Sequence, residues 1–438
     1  MYFIKMKTKE EKINIVTLGC AKNIVDSQML LTQLKGNNFD AYHEKKDKNS
    51  DIIIINTCGF IENAKQESID TILKFAREKK SGNIKKLYVT GCLSERYKDS
   101  LKKEIPDVDD YFGTNDLPIL LRNLKAKYRE ELLSKRVLSD NNHYAYLKIS
   151  EGCNRPCSFC AIPLMRGKHI SKPIELLIEE AKNLSKKGVK ELIIIAQDST
   201  YYGIDLYKKR MLAELLQRLS EVEGIKWIRI HYAFPTGFPM DIIDVMKKNK
   251  KICNYLDIPL QHGSSKILKI MRRGTNREKS EELIHKIRDI IPGISIRTTL
   301  IAGHPGETEK DFQEMYNFVE KMKFNRLGIF TYSHEEGTHS FSMKDDVPEL
   351  IKKDRADSIM KLQQKISYDL NQKFIDKKLK VIIDRKEKDT FFGRTEFDSP
   401  EVDNEIIIKE NSRNLKIGNF YNVIVKEALN YDLYCRLL

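Results

Sequence analysis

Residues 145–160 read Ala145-Tyr146-Leu147-Lys148-Ile149-Ser150-Glu151-Gly152-Cys153-Asn154-Arg155-Pro156-Cys157-Ser158-Phe159-Cys160, a short apolar strand running into a loop with cysteines spaced C-x3-C-x2-C. Three thiolates at this spacing can hold three corners of a cubane iron–sulfur cluster and leave the fourth iron open. An open iron suits a small chelating ligand, and the amino and carboxylate groups of S-adenosylmethionine can fill it. Zinc is the alternative, but no fourth cysteine or well-spaced histidine completes a closed tetrahedral site. Asn154-Arg155-Pro156 keeps the loop turning. Phe159, between two of the cysteines, can shield a cluster and lie near an adenine, or simply pack.

The strand before this loop is the first of a series. Ala145–Ile149, Glu191–Ala196, Trp227–Tyr232, Tyr255–Pro259, Ser295–Ile301 and Arg326–Tyr332 are short apolar runs with helical patterns between them. Six such units predict an open βα, TIM-like barrel over residues 139–370, with its active site at the strand carboxyl ends. A long helix from Pro348 to Asp376 closes it. Upstream, over 12–125, the pattern is β-α-β-α-β and implies a parallel sheet. Each of its strands leads into a cysteine: Leu18-Gly19-Cys20, Asn56-Thr57-Cys58 and Thr90-Gly91-Cys92. Parallel strands end at one edge, so Cys20, Cys58 and Cys92 converge there, where open α/β sheets bind ligands. Three buried structural thiols are the plainer reading. Residues 120–142 are charged and poorly patterned, and read as a linker. From 372 to 438 short alternating strands predict a small all-β barrel. The fold class is α/β with this β module appended.

Composition narrows the setting. The chain has 438 residues, 41% hydrophobic, with a formal charge of +14. No apolar run approaches the roughly 20 residues that span a bilayer, and the Lys-rich start lacks a signal-like apolar stretch. A cytoplasmic protein without a membrane partner is expected. Eight cysteines in such a chain argue against a disulfide framework. The positive charge is spread along the chain, so attraction to nucleic acid and solvated helix faces explain it equally well.

The C-x3-C-x2-C loop resembles the signature of radical S-adenosylmethionine enzymes. With Cys20, Cys58 and Cys92 before it and a β module after it, nearly the whole chain resembles the methylthiotransferase family, whose members end in a TRAM domain. Leu18-Gly19-Cys20-Ala21-Lys22-Asn23, Asn56-Thr57-Cys58-Gly59-Phe60-Ile61, Gly91-Cys92-Leu93-Ser94-Glu95-Arg96-Tyr97, Gln197-Asp198-Ser199-Thr200-Tyr201-Tyr202-Gly203 and Pro259-Leu260-Gln261-His262 resemble its RimO branch. The tRNA-modifying, MiaB-like branch typically has Gln-Met in place of Ala21-Lys22 and Gln-Asn in place of Gln197-Asp198. One departure is His304, where Phe is more usual before Pro305-Gly306-Glu307-Thr308.

The resemblance implies two 4Fe-4S clusters, one on Cys153, Cys157 and Cys160 and one on Cys20, Cys58 and Cys92. It implies S-adenosyl-L-methionine as cosubstrate and methylthiolation of an aspartate β-carbon in small-subunit ribosomal protein S twelve, free or in the small ribosomal subunit. A flavodoxin- or ferredoxin-type electron donor and a monomeric state are expected with it. Gln197, Asp198 and Ser199, after a barrel strand, and Arg297 are candidate cofactor contacts, though each can equally be a structural cap. His262, His334, Cys253 and Cys435 read as structural residues. The acids of 396–405 predict an exposed negative patch that favours a basic protein over a phosphate backbone. Two other readings stay open: a tRNA-adenosine methylthiotransferase, and a non-catalytic iron–sulfur protein that binds RNA or carries electrons.

Overall fold

The computed structural model describes residues 11–44, 50–139, 143–409 and 415–438. The Lys-rich start before residue 11 and positions 140–142 of the expected linker lie outside them. No helix among the described residues is long and apolar enough to cross a membrane.

The first sheet has five parallel strands, in the spatial order Asp40–His43, Lys12–Thr17, Ile52–Thr57, Lys86–Gly91, Asp110–Tyr111. The middle three are the expected ones. The two edge strands are too short and polar to carry a period, and neighbour pairing alone defines them. Strand order reverses between Lys12–Thr17 and Ile52–Thr57, so Cys20 and Cys58 sit at the topological switch point where such sheets bind ligands.

The central sheet has six strands, Tyr144–Lys148, Glu191–Ile195, Trp227–Ile230, Ile252–Asp257, Ser295–Ala302 and Arg326–Thr331, side by side in chain order and all parallel. Alternate residues face opposite ways along a strand. Leu192, Ile194, Ile228, Ile230, Leu256, Ile296 and Leu300 form the apolar layer beneath the outer helices. Tyr144, Tyr146 and Ile193 face the other way, where Val25 of the helix Ala21–Gly36 packs on them. The N-terminal unit thus covers part of the sheet's concave face.

The expected linker is packed structure. Leu120 and Leu121 of the helix Leu117–Asn123 are buried. Arg136 is buried with its guanidinium on Glu180 (2.9 Å), Gln28 (2.7 Å) and the Tyr146 carbonyl (2.5 Å). A charged sequence reads as solvated until its partners, here Glu180 and Gln28 more than forty residues away, are known.

The tail closes into a five-stranded barrel of Lys378–Glu387, Thr390–Arg394, Ile406–Lys409, Leu433–Leu437 and Phe420–Ala428. Of the acids expected to form an exposed patch, only Glu401 is exposed. Asp398 is buried on Arg326 at 2.5 Å. Asp403 accepts from the Tyr255 hydroxyl at 2.7 Å, Glu396 from the Asn254 amide at 3.1 Å, and Glu401 from the Tyr144 hydroxyl at 3.2 Å. Behind them Glu191 pairs with Arg229 and Arg394, each at 2.8 Å and all three buried. Asp398, Asp403, Glu396 and Glu401 therefore dock the tail against the central sheet. Removing one member of a buried pair costs about 3–5 kcal/mol. Asp398→Ala is accordingly expected to lower the thermal unfolding midpoint clearly, and an unchanged midpoint in calorimetry would contradict this docking.

Candidate active site

Local backbone chemistry brings Cys20, Cys58 and Cys92 together. A side chain at Gly19 would put its Cβ 2.6 Å from Cys58 Cβ, and one at Gly59 would meet the Leu93 backbone at 2.7 Å. The three loops approach this closely because those positions carry no Cβ. The thiols feel one another. Burial, then the neighbouring Cys20 and Cys92 thiolates, push Cys58 up to about 11. Burial raises Cys92 against the pull of Arg166. Burial also acts to raise Cys20, but Lys22 and Arg166 together bring it below its ordinary value.

Cys153, Cys157 and Cys160 form the second group. Burial, with the other thiolates adding to it, raises Cys153 to about 11 and Cys160 to about 12. Arg273 donates to Cys157 Sγ at 3.2 Å, and the Arg155 amide to Cys153 Sγ at 3.4 Å. Donors aimed at sulfur favour the charged thiolate that iron needs. Among the described residues no three His, Cys, Asp or Glu side chains surround a single ion.

The two groups face each other across the contact between units. Cys92 packs with Ala161, the neighbour of Cys160, and with Met165. Arg166, buried between them, donates to Cys92 Sγ at 3.2 Å and to Asp26 at 2.6 Å, and also bonds Asn23 and Glu151. Lys148 bonds the same two carboxylates, Asp26 and Glu151. A strap at 333–342 clasps the other side. Glu335 pairs with Arg96 at 2.6 Å, and Ser340 donates its amide to the Ser158 carbonyl at 2.7 Å.

The candidate cofactor contacts separate. Gln197 donates to Glu151 at 2.7 Å, and Asp198 accepts from Arg155 at 2.7 Å, which ties both to the central cysteine loop. Gln197 Oε1, Arg155 Nη2 and Arg273 Nε are buried with no hydrogen-bond partner among the described residues. Unpartnered buried polar atoms around one loop mark a place for a polar ligand. Phe159 is half-buried with its ring edge-on to His304 at 6.4 Å. Ser199 is spent on the His231 carbonyl, and Arg297 faces Asp403 of the tail at 3.8 Å. Arg155, Arg166 and Arg273 were not legible as site residues, because an isolated arginine carries no spacing signal. His262 is buried on Glu307, Cys253 and Cys435 are core thiols, and His334 stacks on Phe341.

His304 lies 2.9 Å from Ser340 Oγ and 3.0 Å from the Pro305 carbonyl, bonds that phenylalanine could not make. Burial lowers it to about 4. Its folded pKa lies below the unfolded value of about 6.5, so its contribution is full above that pH and is lost as pH falls toward 4. Denaturant melts of wild type are therefore expected to weaken more steeply across that window than those of His304→Phe. Parallel curves would contradict this.

Three family models match. The Radical SAM superfamily matches residues 147–319, the uncharacterized protein family UPF0004 residues 12–113, and the TRAM domain residues 375–438. A protein of Cytophaga hutchinsonii named ribosomal protein uS12 methylthiotransferase RimO is 58% identical over 432 residues, covering 98% of this chain and 99% of its own. A protein of Bacteroides thetaiotaomicron with the same name is 50% identical, covering 98% and 99%. Among solved structures, the radical S-adenosylmethionine methyltransferase TsrM of Kitasatospora setae aligns at TM-score 0.54 and 12% identity, over 74% of this chain and 75% of that one. The cobalamin-dependent radical enzyme OxsB aligns at TM-score 0.51 and 13% identity, over 81% and 56%. At such identities the likeness is one of fold.

Proposed function

This chain belongs to the RimO family of radical S-adenosylmethionine methylthiotransferases, and from that premise we propose that it methylthiolates the β-carbon of an aspartate in small-subunit ribosomal protein S twelve. We assign one 4Fe-4S cluster to Cys153, Cys157 and Cys160 and a second to Cys20, Cys58 and Cys92. With an external flavodoxin- or ferredoxin-type donor and S-adenosylmethionine, a cluster held by Cys153, Cys157 and Cys160 would supply radical hydrogen abstraction, and one held by Cys20, Cys58 and Cys92 would supply the methylthio sulfur. The observation that carries this reading is the packing of Cys92 against Ala161, beside Cys160. A carbon activated at one triad can meet sulfur held at the other without leaving the interface.

The chain's own residues hold that arrangement. Arg273 and the Arg155 amide offset thiolate charge in the central loop. Gln197 and Asp198, fixed by Glu151 and Arg155, are proposed to present polar atoms to S-adenosylmethionine, and Phe159 to cover its adenine. Arg166, fixed by Glu151 of its own unit, holds the two units in register through Asp26 and Asn23. An unactivated carbon loses no hydrogen to these groups as bases, so their work is positioning. The test is anaerobic incubation of the iron-loaded protein with reductant, sulfide, S-adenosylmethionine and a peptide bearing the target aspartate. Methylthio-peptide with 5′-deoxyadenosine supports the reading, and transfer to tRNA instead overturns it.

A further inference from the structure

Most charges around the inner face pair with a carboxylate. Lys148 and Arg166 share Asp26 and Glu151, and Arg297 faces Asp403. Lys22 does not have such a partner. It lies two residues after Cys20, is 9% exposed, and its ammonium sits 3.4 Å above the ring of Tyr232, just past the carboxyl end of Trp227–Ile230. No carboxylate among the described residues lies within ion-pair reach of it. Asp257, an acid that feels its charge, is held by the Tyr232 amide at 3.1 Å and keeps Oδ1 unpartnered. Its company is the Tyr232 ring and hydroxyl and the nearby Cys20 thiol, with no carboxylate to balance it. A buried ammonium without a carboxylate partner is costly to maintain for packing alone.

We propose that Lys22 selects the substrate by charge: its ammonium pairs with the carboxylate of the target side chain and holds the adjacent carbon between the two cysteine triads. This rests on the reading above, that the target is an aspartate. It adds that the enzyme recognises a carboxylate as such, and that the recognising group comes from the N-terminal unit. Lys22 is a specificity residue in this scheme, and Tyr232 is the platform that keeps its head-group in place.

The experiment measures binding and kcat/KM for two peptides, one with the target aspartate and one with asparagine in its place. Wild type should favour the aspartate peptide by about 10- to 100-fold, the value of one charge-assisted hydrogen bond. Lys22→Met should erase that preference through KM, and Lys22→Arg should restore much of it. Equal affinity of wild type for both peptides overturns the proposal without any variant. A Lys22→Met protein that keeps the wild-type preference also overturns it, as does one whose only change is a raised KM for S-adenosylmethionine. Failure of wild type to modify the aspartate peptide at all removes the underlying functional reading and the proposal with it. In the preceding three outcomes that reading survives.

Discussion

Replacing Cys153, Cys157 and Cys160 together with alanine is expected to remove about half of the iron that anaerobic reconstitution installs, and to abolish 5′-deoxyadenosine formation. The three cysteines occupy one loop after Tyr144–Lys148, whose donors Arg273 and the Arg155 amide point at sulfur. Cys20, Cys58 and Cys92 hang from a separate sheet with its own apolar layers on both faces. Loss of the central loop's ligands therefore leaves the other triad intact. Iron analysis and chromatography of the nucleoside report both effects. Continued 5′-deoxyadenosine formation by this variant would contradict the assignment of the central loop.

The complementary variant, with Cys20, Cys58 and Cys92 replaced by alanine, is expected to keep making 5′-deoxyadenosine and to yield no methylthio product. The radical precursor needs only the central loop, with Gln197 and Asp198 beside it. Cys92 contributes one thiol to the contact with Ala161 and Met165, so its loss trims that contact without dismantling it. The ratio of nucleoside to methylthio-peptide is the readout. Full methylthiolation by this variant would remove the sulfur-carrying role from the N-terminal triad.

What the sequence made legible follows the range of the forces involved. The strand–cysteine repeats at Cys20, Cys58 and Cys92 and the spacing around Cys153 are local patterns, and topology turned them into a convergent site. Buried strands such as Ile52–Thr57 announced themselves by composition. The edge strand Asp40–His43 did not, because its existence depends on a neighbour. Charge was the least legible property. Arg136, Asp398 and Asp403 look solvated in sequence, yet each is paired with a residue distant along the chain. For the same reason Arg166 gave no signal as a site residue, and Lys22 stood out only as a position at which the two branches differ. Their role depends on which unit faces them, and no period or spacing encodes that.

The central claim is methylthiolation of a ribosomal protein, and mass spectrometry of cells lacking this protein tests it most directly. Small-subunit ribosomal protein S twelve should lose its methylthio group at one aspartate, while methylthio-adenosine in tRNA stays at the wild-type level. Loss of the tRNA mark alone, alongside a fully methylthiolated ribosomal protein, would contradict the account.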